Sequence, residues 1–252
     1  MRFLTVALTI FSLFPLPLVA ITNTEYLHKQ GADDGINGNI ELSLSGKSGN
    51  SDVQTNSISA QLSYRHGSHQ FLTSGSSEYG KSNDVTDTDN NFIHQRYIYH
   101  RSQTFALEGF IQYQDDAFQL LDSRKLIGGG VRINLAPNDT YLFNVGVGAY
   151  YTEEVYDLDD DITEEEKYAR GNSYINFAKQ LTDSTKFSNT LYWQPRLSDF
   201  SDSYAYNSLA LSVQINDKLA LKITLETHYD SQPVNNLEHV DHTYLTSLSY
   251  SF

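Results

Sequence analysis

The sequence predicts an all-β fold, a closed antiparallel transmembrane β-barrel of about twelve strands with short turns at one end and longer loops at the other. Three observations carry that expectation. Apolar and polar side chains alternate with a period of two along most of the chain. The connections between alternating runs are by turns short and long. The chain also closes on an alternating aromatic run, YLTSLSYSF, Tyr244 to Phe252. That run needs a surface to receive its apolar face, because terminal residues in water fray and gain nothing from exposed apolar area.

The chain begins MRFLTVALTIFSLFPLPLVA, with Arg2 as a positive start, an apolar stretch from Phe3 to Leu18 and a small-residue cleavage site before Ile21. Residues 1–20 therefore read as an export signal. A permanent anchor is the weaker reading, since two prolines interrupt the end of the segment and no basic stop-transfer run follows. No other stretch has the length of a membrane-spanning helix, so any span must be built from strands. Residues 21–37 form a periplasmic tail or plug, and 38–252 form the barrel.

Ile40, Leu42 and Leu44 alternate with Glu41 and Ser43 in the first strand; Ile58, Ala60, Leu62 and Tyr64 alternate with serines, Gln61 and Arg65 in the second. Fainter strands follow around 69–79 and 91–100. The pattern returns clearly at Phe105 to Tyr113, Ile127 to Leu135 and Tyr141 to Tyr151, fades around 168–179 and 185–193, and is strong again at Leu209 to Ile215 and Leu219 to Leu225. Short turns are expected at 66–68, 101–103, 137–139, 182–185 and 216–217. Longer outer loops are expected at 46–54, 80–91, 114–123, 153–167, 194–203 and 230–239.

Charge placement follows the same parity. Glu41, Arg65, Glu108, Arg132, Lys186, Lys222 and Glu226 all lie opposite the apolar set of their strands, which in a barrel is the lumen. A Lys or Arg facing lipid near the midplane costs about 2–4 kcal/mol, so a membrane barrel sends such residues inward. A soluble β-sandwich would alternate too, with the apolar face inward. The export signal, the aromatic ending and the two classes of connection favour the barrel.

Leu248, Tyr250 and Phe252 then face lipid on a closing strand that pairs with the first strand near Ile40 to Leu44, leaving no edge unpaired in the bilayer. This ending resembles the C-terminal signal read by the bacterial barrel-assembly machinery. Three further stretches, SGNSDVQT (Ser48 to Thr55), NDKLALKITLETHYDSQP (Asn216 to Pro233) and the terminal SYSF, resemble the YdiY-like, salt-induced outer-membrane protein family. The resemblance implies an exported bacterial barrel, resident in the outer membrane among its lipid and lipopolysaccharide. The family has no assigned activity, so it implies no catalytic residue.

Composition narrows the function. Lys+Arg 17 against Asp+Glu 31 gives a net charge of −14, which argues against a nucleic-acid partner. Cysteine is absent, which excludes disulfides and thiolate metal sites. About twelve strands lies between barrels filled by side chains and porins with aqueous channels, so a plugged structural barrel and a narrow passive pore are both compatible.

Two constellations could hold a cation. His228 with Asp230 and His239 with Asp241 repeat H-x-D on either side of the last long loop, with inward parity. They could bind a divalent metal or form an acid/base pair; a hydrogen-bonded polar lining is the plainer and preferred reading. The acidic run EEVYDLDDDITEEE, Glu153 to Glu166, offers the oxygen ligands that Ca²⁺ or Mg²⁺ takes, but without the glycine-bearing order of an EF-hand, so a solvated loop is preferred. No cofactor is expected. An outer-membrane barrel hydrolase acting on lipid or peptide is the alternative class, although no nucleophile elbow or Ser-His-Asn set is legible.

Overall fold

The computed structural model describes residues 34–47, 53–82, 85–117, 120–136, 141–159, 162–233 and 238–252. The export signal at 1–20, the tail at 21–33 and the turn at 137–139 lie outside the described residues, as do Ser48 to Asp52 of the first family-like stretch.

The chain forms twelve strands: β1 (Gly35–Lys47), β2 (Val53–His66), β3 (His69–Ser82), β4 (Val85–His100), β5 (Phe105–Asp116), β6 (Leu121–Asn134), β7 (Tyr141–Asp159), β8 (Ile162–Gln180), β9 (Thr185–Arg196), β10 (Asp199–Gln214), β11 (Leu219–Asp230) and β12 (Val240–Ser251). Each pairs antiparallel with its sequence neighbours, and β12 pairs with β1 to close the barrel. The closing ladder runs from Asn39 opposite Ser251 to Ser43 opposite Ser247. Gly38 and Phe252 then exchange two backbone hydrogen bonds of 3.0 Å. A Cβ on Gly38 would lie 2.5 Å from the Phe252 ring, so this glycine makes room for the terminal aromatic to lie over the seam. Strand β1 begins at Gly35, ahead of the expected barrel start at 38.

Alternation decides which face is which. Leu44, Ile127 and Tyr244 are 76%, 62% and 68% exposed on the outside, whereas Arg96, Arg132, Arg170, Glu108 and Glu154 are buried inside. A water-soluble sandwich would bury the apolar set and expose the charges. Here the exterior is an apolar belt and the interior is polar, the arrangement that suits a hydrocarbon surround. Aromatic rings border the belt. At the short-turn end Tyr141, Phe177 and Phe187 follow one another at centroid distances of 6.2 Å. At the other end Tyr79, Tyr113, Tyr151, Trp193 and Tyr229 are exposed.

The expected outer loops are corrected in one respect. Segments 80–91, 153–167 and 194–203 are mostly strand, and β7 and β8 reach 19 residues each. The two ends differ in how far strands project more than in loop length. Register shifts cluster at the projecting end, between Gly80 and Lys81, Gln114 and Asp116, Leu121 and Ser123, Asp157 and Asp159, and Asp199 and Ser203. Bulges at a barrel rim sharpen the local twist and re-aim side chains.

Candidate functional site

The lumen is crossed by ionic and aromatic layers, and glycines make space for them. Gly146 on β7 faces inward beneath Tyr174 of β8; a Cβ there would sit 2.0 Å from the tyrosine ring. On β6, a Cβ on Gly128 would sit 2.6 Å from both Phe110 and Tyr150. Small residues on β6 and β7 therefore let large ones from neighbouring strands reach across.

The middle layer is centred on Glu108 of β5. The Tyr174 hydroxyl donates to its carboxylate, lying 3.0 Å from both oxygens. Arg96 and Arg132 approach Oε2 of the same carboxylate at 3.4 and 3.3 Å. Both guanidinium groups also face the Tyr174 ring, at 5.7 and 5.3 Å. One carboxylate thus serves two arginines, and the aromatic face takes up part of the remaining positive charge.

A second layer lies toward the projecting end. Arg124 binds Glu154 through Nε at 2.8 Å and Nη2 at 3.1 Å, and Tyr156 donates to the same carboxylate at 2.7 Å. Arg170 pairs with Asp202 at 2.6 Å and donates to the carbonyls of Gln194 and Asp202. Its guanidinium stacks 3.7 Å from the Tyr204 ring centroid. Tyr150 donates to Gln194 at 3.0 Å, and Gln194 donates to Asn172 at 2.9 Å. Charges this deeply buried persist because each is paired and hydrogen-bonded.

The third group lines β11, β12 and β1. Lys222 Nζ lies 3.0 Å from both oxygens of Glu41, and Asn39 donates to Oε1 at 3.0 Å. Tyr206 donates to Glu226 at 2.9 Å.

Of the charges expected in the lumen, the structure brings Glu108 to Arg132 and Glu41 to Lys222. Glu226 joins Tyr206, and Arg65 and Lys186 share the inward parity at the short-turn end. Sequence reasoning missed Arg96, Arg124, Glu154, Arg170 and Asp202. The inward alternation Tyr150, Thr152, Glu154, Tyr156 was a usable signal for Glu154. Arg124 shares the parity of Arg132 in an unbroken register from Ser123 to Asn134, and it lies ahead of Ile127, where the apolar alternation begins.

The H-x-D pairs do not converge into a donor set. His228 stands opposite Asp241 in register, with its ring 4.7 Å from that of Tyr206, and its Nε2 is buried without a hydrogen-bond partner. Asp230 accepts the Gln232 backbone N–H, while His239 is exposed and its Nδ1 donates to the Asp230 carbonyl. Among the described residues no three His, Asp or Glu side chains are grouped to hold a metal ion. The physical reason is that β12 starts only at Val240, so His239 belongs to the connection and is not held on the lumen face.

The acidic run is corrected as well. Glu153 to Asp157 pair with Lys167 to Thr163 as a projecting β-ribbon. Lys167 bridges Glu153 at 3.2 Å and also pairs with Glu165; Glu166 reaches Arg196 at 3.5 Å; Glu154 turns inward to Arg124. Above the apolar belt, the Lys167 hydrogen bond holds the Glu165 carboxyl below the ordinary glutamate range. Thr227 pairs with His242 at 3.0 Å on the outer face.

The fold is shared with known outer-membrane barrels. The translocator domain of autotransporter NalP from Neisseria meningitidis aligns with a TM-score of 0.56 at 10% identity, covering 89% of this chain and 91% of that one. The KdgM porin in complex with disordered oligogalacturonate aligns at 0.51 with 12% identity, covering 85% and 99%. The NanC porin aligns at 0.51 with 10% identity, covering 86% and 99%. At such identities the likeness is one of fold. No curated protein matches in sequence. A family profile described as "Protein of unknown function, DUF481" matches residues 40–252, nearly the whole barrel. The chain therefore belongs to the DUF481 family.

Proposed function

We propose that this protein resides in the bacterial outer membrane and acts in envelope adaptation as a narrow passive pore, admitting water, ions and very small solutes while excluding larger ones. The observation that carries this reading is the lumen itself, crossed by Tyr174–Glu108 and by Tyr204 and Arg170 against β7 to β10. A wide channel would leave those side chains solvated. The YdiY-like resemblance and its link to salt belong to the same proposal, as do assembly through the terminal Phe252 and contact with lipopolysaccharide at the projecting ribbon. The reading needs no cofactor and no catalytic residue.

Liposome swelling tests it. Vesicles carrying folded protein should swell in isotonic salt or glycine and stay unchanged in a trisaccharide. Equal swelling in the trisaccharide would show a wide porin and overturn the reading.

A further inference from the structure

The two halves of the lumen are filled differently. On β5 to β10 many inward side chains are sealed: Glu154, Thr190 and Tyr206 are at most 1% exposed. Toward the projecting end, Thr55, Ser57 and Ser59 of β2 and Ser76 and Glu78 of β3 face inward and are half-buried, whereas Ser63, Gln70, Leu72 and Ser74 nearer the short turns are buried. The half-buried side chains point away from the lipid belt, so what exposes them is open space inside the barrel. Thr243 and Leu245 on β12 and Glu226 on β11 are half-buried on the same side. Below them exposure falls away: Ser43, Ser247 and Ser249 are buried, and Ser43 and Ser247 bond each other at 2.7 Å.

A second recess rises from the short-turn end. It has a volume of about 150 Å³ and is lined in part by Lys186, Ser212, Ala220 and Ser251. Ala220 lies two residues from Lys222 on the inner face of β11, and Ser212 is paired with Lys222 in register. Between that opening and the short-turn recess along β11 lies Lys222, which is half-buried and held to Glu41 across β12. Along β11 this ion pair stands between the half-buried Glu226 and the recess beside Ala220, with Thr224 buried just above it.

We infer that solutes pass off-centre, along the serine-lined wall formed by β11, β12, β1, β2 and β3, and that the Glu41–Lys222 pair is the barrier in that path. The ligand class is small hydrophilic solutes that hydrogen-bond to hydroxyls, with monovalent ions crossing where the pair must part. The sealed side chains of β5–β10 above the short-turn recess are scaffold. This inference rests on the pore reading above but locates its path independently of it.

The chain lacks cysteine, so single cysteines report cleanly on water access. Ser59→Cys, Ser76→Cys and Thr190→Cys are refolded into vesicles, with folding checked by heat-modifiable gel mobility, and treated with a charged, water-soluble methanethiosulfonate. Labelling is followed by mass, and current in planar bilayers. The expected result is rapid labelling at 59 and 76 with reduced current, and labelling at 190 slower by at least about tenfold. The double substitution Glu41→Ser with Lys222→Ser should raise conductance severalfold. Equal labelling at 190, or none at 59 and 76, overturns the off-centre path. Unchanged conductance in the folded double variant overturns the barrier assignment. Labelled 59 and 76 in a parent that carries no current would uphold the recess while overturning the pore reading, so the two failures are distinguishable.

Discussion

The Tyr174 hydroxyl of β8 lies 3.0 Å from both carboxylate oxygens of Glu108 on β5, three strands away around the barrel. The contact ties β5 to β8 through the lumen, and it does so beside two arginines that share the same carboxylate. Removing Glu108 leaves Arg96 and Arg132 buried without their common partner. Glu108→Ala should therefore destabilise the barrel by about 3–5 kcal/mol. Tyr174→Phe, which removes one hydrogen bond to a charged group, should cost about 1.5–3 kcal/mol. Urea unfolding from lipid vesicles measures both; a smaller loss for Glu108→Ala than for Tyr174→Phe would contradict the layer as described.

Arg124 and Glu154 give a sharper energetic test. Either single replacement by Met strands a buried charge, at a cost of about 3–5 kcal/mol, whereas the double Met variant should be close to neutral. A double-mutant cycle reads the coupling directly. Additive single losses would show that the two side chains do not act as a pair.

Gly146 tests the space allotted to Tyr174. A methyl group there would collide with the ring, 2.0 Å from the ideal Cβ. Gly146→Ala should lose about 1–3 kcal/mol, as overpacked sites do. In a Tyr174→Ala background the same change should be nearly silent. Equal losses in both backgrounds would place the strain elsewhere.

The projecting ribbon has a pH window. Hydrogen bonding to Lys167 lowers the Glu165 value from 4.5 and raises that of Lys167 from 10.5. The depressed carboxylate contributes fully above 4.5 and loses that contribution as pH falls through its folded value. The raised ammonium contributes fully below 10.5 and loses it above its folded value. Amide exchange protection in 153–167, corrected for the intrinsic rate, should hold between those limits and drop on acidification. Salt should weaken it, because these groups are solvent-exposed. Protection unchanged at pH 3 would remove the ion pairs from the account of the ribbon.

Closure is tested at the seam. Gly38→Val puts a side chain where the Phe252 ring lies and should lower the yield of the compact, heat-modifiable form severalfold. Combined with Phe252→Ala, which vacates that space, the valine should be better tolerated than alone. No difference between the two backgrounds would mean the ring does not occupy the seam.

Much of the fold was legible because a membrane barrel imposes a two-residue period on both faces. Ile58 to Tyr64 and Tyr141 to Tyr151 show that period plainly, and the closing partner of β12 follows from the need to leave no edge. What was hidden lies where the apolar side of the period is missing. Arg124 precedes Ile127, where the apolar alternation begins, although its register with β7 is unbroken, and the acid-rich composition of Glu153 to Glu166 disguises a paired ribbon as a loop. The cross-lumen partners were illegible for another reason: parity says that Tyr174 and Glu108 both point inward, but only the barrel's circumference and the missing side chain at Gly146 bring them within hydrogen-bonding distance.

Single-channel conductance of the parent protein beside Tyr174→Ala, in planar bilayers at several salt concentrations, tests the bridged lumen most directly. Small, salt-dependent steps in the parent and markedly larger ones in the variant are the predicted result. Wide-pore currents already present in the parent, and unchanged by the substitution, would contradict it.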